Sequence, residues 1–290
     1  MSQIVNSGEV HRFFEKILAG DWGPFETGFF CVAARKKYMS QEEREATQLG
    51  DTCMMEKTVL KRGDFQEFWL KLQKADAGLS FHSSHNGTLI PPHCMVFYIN
   101  INKTDMLSAI KDFKSDLLDM ENELWDVLVK RGSQEGIGAK IRGINNKLLK
   151  AYQNPKNNIK GWLDIDIDLS QGAKESEYLR SFEQVLPTVM KNVHFEPDTY
   201  HIIRTQGGYH VLIKTSWIKT FNADYASACQ TNKTPINKET FIDPMKVIAK
   251  LTEVYKFWFN EDPEEIKLNQ NAMIPIPGTL QGGKEVRMLI

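Results

Sequence analysis

At 290 residues, with 41% hydrophobic and 25% charged side chains, the chain has material for a substantial core and is not composed like a disordered protein. Lys and Arg number 36 against 37 Asp and Glu, a formal net charge of −1, so there is no global basic field and any nucleic-acid contact must come from a local patch. Four scattered cysteines without a CxxC pair, a polar start at Met1–Asn6 and no apolar run of membrane-spanning length lead to the expectation of a soluble, cytoplasmic protein with free thiols and no membrane partner.

His11 to Ala19 repeats apolar residues at helical spacing, with Gly20 as its stop. Residues 28–33 (GFFCVA) read as a short buried strand, followed at once by Arg35, Lys36 and Lys37, a basic cluster that alone implies no more than a solvated loop. From Asp64 the segment DFQEFWLKLQKA places Phe65, Phe68, Trp69 and Leu72 on one helical face. Residues 82–93 form a polar loop whose His82, His85 and His93, with Cys94, match no standard zinc spacing, so zinc is not favoured. Met95 to Ile101 is a strand. Asp105 to Arg131 reads as one or two helices with Asp105 or Thr104 as cap. Gly132 to Gly143 lacks the lysine–serine ending of a phosphate-binding P-loop and reads as linker, and Asn145 to Tyr152 as helix. Asn154–Asn158 breaks the chain, which sets a boundary between an N-terminal lobe, residues 1–157 with a helical insertion, and a second lobe, residues 158–290.

The second lobe opens on Trp162-Leu163-Asp164-Ile165-Asp166-Ile167-Asp168. Period-two alternation puts Asp164, Asp166 and Asp168 on one face of a strand and Leu163, Ile165 and Ile167 in the core. Aspartate is depleted from strands and three carboxylates on one face repel, a conflict that a divalent cation with a preference for hard oxygens resolves. An acidic face turned to water is the plain alternative for this pattern. Residues 172–193 are helical in pattern, with Pro187 as a kink or boundary. Tyr200–Arg204 and Tyr209–Lys214 are strands about a Gln206-Gly207-Gly208 turn, Phe241–Asn260 is a helix, and Ala272–Ile276 a short strand. That order is close to the ferredoxin-like βαββαβ scheme, whose first and third strands are central neighbours, so His210 is expected beside the acidic strand.

Read together, the stretches Asp164-Ile165-Asp166-Ile167-Asp168, Gly207-Gly208-Tyr209-His210 and Pro277-Gly278-Thr279-Leu280-Gln281-Gly282-Gly283 resemble, in order and spacing, the acidic strand, the glycine turn into a strand histidine, and the proline-glycine turn after the third acidic motif of the archaeo-eukaryotic primase superfamily. The resemblance implies an α/β (α+β) architecture in which an N-terminal α/β unit packs on an RRM-like, ferredoxin-like antiparallel-sheet catalytic module. It implies a template-directed nucleotidyltransferase, a primase or primase-polymerase making short RNA or DNA on single-stranded DNA. Nucleoside triphosphates would be the substrates, two Mg²⁺ or Mn²⁺ ions the cofactors, and any replicative helicase a separate chain, as expected of a phage or other mobile element. Asp164 and Asp166 would bridge the metals, with Asp168 and a third acid completing the set, and His210 would donate to the triphosphate. Asp243 is preferred as the third acid over Asp262, although a helix cap explains Asp243 equally. Lys214, Arg204, Gly207, Gly208, Gly278, Thr279 and Gln281 are the further nucleotide-binding candidates. A non-catalytic RRM-like binder of single strands, a nuclease and a DxD glycosyltransferase are the rivals.

Overall fold

The computed structural model describes residues 2–20, 22–61, 63–125, 144–269 and 273–290, so the linker expected at 132–143 and the end of the helix before it lie outside the described residues. The chain is a mixed α+β protein built on two antiparallel sheets. It opens with α1 (Ser7–Phe13), capped by the Asn6 side chain and continued by a π-turn to Leu18, which buries Val10, Phe13, Phe14 and Ile17. The long β1 (Glu26–Arg35) follows, eight of its ten residues buried as the apolar run GFFCVAA requires. Two elements without a strong apolar pattern come next: α2 (Gln41–Thr47), started by a Ser40–Glu43 capping box, and the edge strand β2 (Thr52–Leu60). α3 (Phe65–Gly78) buries Phe68, Leu72 and Ala75, and β3 (Met95–Asn100) runs beside β1. β4 (Lys103–Asp105) leads into α4 (Met106–Trp125), where Asp105 accepts from Leu107 N at 3.0 Å as the start cap.

α5 (Ile144–Gln153) packs on α4, and β5 (Asn158–Ile159) pairs with β4. The first sheet therefore takes a strand from each side of the 157/158 boundary. β10 (Met273–Pro275) also joins it, against β3. That last pairing departs from the sequence expectation, which made residues 272–276 the closing strand of the second sheet.

A two-stranded ribbon of β11 (Leu280–Gln281) and β12 (Lys284–Glu285) forms a ladder of its own, and the second sheet has the order β13 (Arg287–Met288), β7 (Tyr200–Arg204), β8 (Gly208–Lys214), β6 (Trp162–Asp168), β9 (Glu265–Asn269). Its closing strand is thus β9, whose polar sequence EIKLN carries a weak apolar signal. α6 (Gln171–Glu175) and α7 (Leu179–Asn192) connect β6 to β7, and Pro187 sits inside α7 without ending it; the break falls at residues 176–178. α8 (Thr215–Thr231) and α9 (Pro244–Phe259) connect β8 to β9. Ile165, Ile167, Val211 and Ile213 pack on Phe182, Leu186, Val247, Leu251 and Tyr255 of α7 and α9, so these helices cover one face of the sheet. Ends of the opposite face, Trp162, Ile203, Leu212 and Met288, join the core formed by α1, α3, β1 and β3. No described helix is long and apolar enough to cross a membrane.

Candidate functional site

β6 lies between β8 and β9, with Asp166 opposite His210 on one side and Lys267 on the other. Asp164, Asp166 and Asp168 share the face of β6 turned away from α7 and α9, as the alternation requires. They are not equivalent. Asp164 is wholly buried; its Oδ1 lies 3.0 Å from His210 Nδ1 and its Oδ2 accepts from Asn269 Nδ2 at 2.7 Å. Both oxygens are thus taken up inside the protein, which suits a charge partner better than a metal-bridging ligand. Asp166 is part-buried, with Oδ1 3.8 Å from the same imidazole nitrogen, and Asp168 is part-exposed at the end of the strand.

Electrostatics sort the group further. Burial alone lowers the basicity of His210, but the charge and hydrogen bond of Asp164, then Asp166 and Asp168, reverse this and raise its pKa to about 9, so the ring is an imidazolium at neutral pH. Burial raises the Asp166 carboxyl above its ordinary range, His210 pulls it back, and Asp168 and Asp164 push it further up. Excess negative charge therefore gathers at Asp166 and Asp168, in front of the imidazolium.

The turn after β1 supplies the opposing charge. Lys37 is near enough to both Asp166 and Asp168 to feel their charge, while burial, Arg35 and Lys174 lower its pKa. Arg35 donates to Tyr98 Oη at 2.6 Å, and the Gln206 amide donates to Gln281 Oε1 at 3.0 Å. Tyr38 Oη, Gln206 Oε1 and Arg35 Nε are buried without a hydrogen-bond partner among the described residues. Each such group costs about 1–3 kcal/mol, which a polar ligand would relieve. Next to them lies a cavity of about 340 Å³ lined by Lys37, Tyr38, Lys174, Gln206, Gly207 and Lys284, with Glu175 as its one acid among the described residues. A second, of about 320 Å³, shares Lys174, Gln206 and Lys284 and adds Arg204, Arg287 and Glu285. The basic cluster at 35–37 carries little meaning in sequence; only the chain's return places Lys37 opposite the acids.

Several expected site residues stand elsewhere. Asp243 caps α9, accepting from Met245 N at 2.9 Å beside His194 and Lys246, on the helix-covered side of the sheet. Asp262, the alternative, is exposed and paired with Lys256 at 2.6 Å. The acid brought to the row is Glu265, in register with Asp168 on β9 and paired with Lys267. Residues in register across a strand pair share a face with Cβ atoms about 4.5–5.5 Å apart. Lys214 is in register with Trp162 at the far end of β6, its Nζ 5.5 Å from the indole centre. Arg204 lines the second cavity, but its guanidinium is held by Glu183, which also accepts from Tyr209 Oη at 3.1 Å.

The terminal glycine turn packs against the N-terminus: Val5 N and Asn6 N each donate to Gly278 O at 3.0 Å, and Gly278 adopts φ +83° with no room for a Cβ beside Asn6 and Val10. Thr279 is wholly buried and donates to Ile276 O at 2.7 Å. Gln281 alone of that motif's candidates reaches the site, through Gln206. Gly208 is needed because a Cβ there would collide with the Ile167 carbonyl, whereas a Cβ on Gly207 would meet only Asp168 Oδ1, at an ordinary contact distance of 3.6 Å.

Among the described residues no three or more His, Cys, Asp or Glu side chains converge as a ready metal cage. The donors at hand, Asp166 and Asp168 with Glu265 across from them, suit Mg²⁺ or Mn²⁺ nonetheless, because such ions use one or two carboxylates and complete their shell with water and substrate phosphates. No family model, curated protein or solved structure matches the chain.

Proposed function

We propose that the protein is a metal-dependent, template-directed nucleotidyltransferase of the primase or primase-polymerase type, acting on nucleoside triphosphates over single-stranded DNA. The observation that carries this reading is the juxtaposition of Asp166 and Asp168 with Lys37 at the edge of a lysine-lined cavity, a divalent-cation position beside a polyphosphate position. The connectivity of the second sheet supports it. With β6, β7, β8 and β9 as strands one to four, the order is two, three, one, four, that of a ferredoxin-like, RRM-like module.

In this reading Asp166 and Asp168 hold the cation, with Glu265 as the third carboxylate. A bound divalent cation supplies Lewis acidity and offsets the charge that builds on the transferring phosphate. The remaining work belongs to the chain. Lys37, Lys174 and Lys284 bind and orient the polyphosphate, and the His210 imidazolium, fixed by Asp164, places positive charge behind the acids. The unpaired Tyr38 hydroxyl donates to the polar part of the nucleotide, and the Gln206 side-chain carbonyl accepts from it.

The reading is tested by supplying single-stranded DNA, Mn²⁺ or Mg²⁺ and either ribonucleoside or deoxyribonucleoside triphosphates, and resolving the products by length. Template-dependent oligomers that vanish in Asp166→Asn and Asp168→Asn are expected. Strand cleavage, sugar transfer from a sugar nucleotide, or oligomer synthesis that survives both substitutions would overturn it.

A further inference from the structure

At the opposite end of β6 from Asp168 lies a cavity of about 140 Å³ that the proposed chemistry does not use. Its walls are Trp22 and Trp162, with Leu18, Gly28, Asn100 and Lys103 among the remaining lining residues. Both indoles are held in place. Trp22 Nε1 donates to Leu18 O at 3.0 Å and Trp162 Nε1 to Ile17 O at 3.3 Å, so each donor is satisfied within the protein; Trp162 is buried, with the His201 ring 5.3 Å away, and meets the cavity as one of its lining residues. Trp22 also lies so close to Gly28 and Gly63 that a Cβ at either position would strike the indole. Asn102 clamps the Trp162 backbone from both sides, accepting from its N at 2.8 Å and donating to its O at 2.9 Å. Asn100, which is buried, lines the slot and donates to Asn158 Oδ1 at a long 3.5 Å.

Three lysines lie near this aromatic slot, and Lys103 lines it directly. Lys103 Nζ stands 5.4 Å from the Trp22 ring centre, held by Glu26 at 2.9 Å, and Lys214 Nζ stands 5.5 Å from that of Trp162. Lys160, exposed, adjoins the lining residues Ile159 and Gly161. The slot is well below the size of a whole-ligand pocket and suits one planar ring system. Indole walls, the Asn100 amide and nearby lysines match the chemistry of an unstacked nucleobase on a negatively charged backbone, the combination by which single strands are bound without sequence preference.

We propose that the Trp22–Trp162 slot receives one unpaired base of a single-stranded nucleic acid whose phosphates lie on Lys103, Lys160 and Lys214. Seven residues of β6, at about 3.3 Å per residue, set Trp162 and Asp168 roughly 20 Å apart, so the slot is an anchor for the strand rather than part of the reacting centre. The contact does not depend on the nucleotidyltransferase reading, since a non-catalytic binder of single strands would use it equally.

The test is an equilibrium titration of the full chain, without triphosphates or metal, against a fluorescent single-stranded oligothymidylate and an abasic strand of the same length. The base-bearing strand should bind roughly tenfold more tightly, the scale of one base–aromatic stack, and the difference should disappear in Trp22→Leu. Lys160→Glu, an exposed substitution that leaves the walls intact, should weaken both strands. Equal affinity of the wild-type chain for the two strands, or a preference that persists in a folded Trp22→Leu protein, overturns the slot. Should Trp22→Leu fail to fold, the abasic comparison and Lys160→Glu decide, and unchanged binding in Lys160→Glu counts against it. Primer synthesis is read separately, so loss of one result leaves the other standing.

Discussion

Asp164 and His210 meet across β6 and β8 with Nδ1 3.0 Å from Oδ1, and the carboxylate is wholly buried. Removing one member of such a pair strands the other's charge in the interior, at a cost of about 3–5 kcal/mol. Asp164→Ala and His210→Ala should each lower the denaturant midpoint accordingly, and the double variant should lose less than the sum. Additive losses in a double-mutant cycle would show that the two do not act as a pair.

The same pair gives stability a pH dependence. The folded pKa of His210, about 9, lies above its ordinary 6.5. The stabilisation is therefore fully present below about pH 6.5 and is lost as pH rises through about 9, because the folded state binds a proton that the unfolded state has released. Thermal unfolding followed from pH 6 to pH 10 should show a falling midpoint in the wild type and a flatter profile in His210→Gln.

Asp166 behaves oppositely. Burial and the neighbouring Asp168 and Asp164 disfavour its charged form in the fold, so Asp166→Asn should leave the melting temperature unchanged or raise it. Nucleotide incorporation, by contrast, should fall roughly 10²-fold or more, the scale of losing one electrostatic contact to a reacting phosphate. Glu265→Gln should fall less, as a carboxylate at the edge of the row. A stability loss in Asp166→Asn comparable to that of Asp164→Ala would show that the two carboxylates have the same structural role.

How far residues alone carry this picture depends on the range of the interaction. The acidic strand and its face follow from period-two alternation, and the β7–β8 hairpin from turn chemistry at Gln206-Gly207-Gly208, both local signals, while the pairing of β6 with the His210 strand follows only from the βαββαβ order of elements. Neither the burial of Asp164 nor the choice of β9 as closing strand is local. The first depends on Asn269 and His210 arriving from other strands. The second depends on EIKLN, whose alternation is too polar to stand out, and on MIP being drawn instead to β3. Asp243 offers both a metal-ligand and a cap interpretation in sequence; Pro244 at the first helical position marks the cap that forms. Lys37 faces the acids only because β1 and β6 end on the same side of the molecule, a tertiary fact with no sequence signature.

Glycine positions separate packing from ligand contact. A Cβ on Gly208 would run into the Ile167 carbonyl, a backbone atom that cannot move without breaking the β6–β8 ladder. Gly208→Ala should therefore lower stability by about 1–3 kcal/mol, the usual cost of overpacking, and lower activity with it. At Gly207 the nearest atom to a new Cβ is Asp168 Oδ1 at 3.6 Å, an ordinary contact. Gly207→Ala should fold normally and raise KM for the triphosphate, since the residue lines the lysine cavity. Equal melting temperatures for the two variants would contradict this assignment.

The lysine cavity yields the most direct test of substrate class. Burial first, then Arg35 and Lys174 as like charges, lower the Lys37 pKa against the pull of Asp168 and Asp166, so the site holds a cluster of cations in contact with acids. A polyphosphate meets those charges by charge-assisted hydrogen bonds worth about 1.5–3 kcal/mol each, so Lys37→Ala and Lys284→Ala should each weaken binding of a magnesium nucleoside triphosphate by roughly ten- to a hundredfold. Lys250→Ala, an exposed change on α9 that removes only a surface pair with Glu253, should leave it unchanged. Raising the salt concentration should weaken the wild type more than either cavity variant, because fewer charges remain to be screened. Calorimetric titration with nucleoside mono-, di- and triphosphates then reads how the cavity uses its charge. Affinity should climb with each added phosphate in the wild type and climb less steeply once Lys37 or Lys284 is gone, and a flat series in the wild type would remove polyphosphate as the ligand.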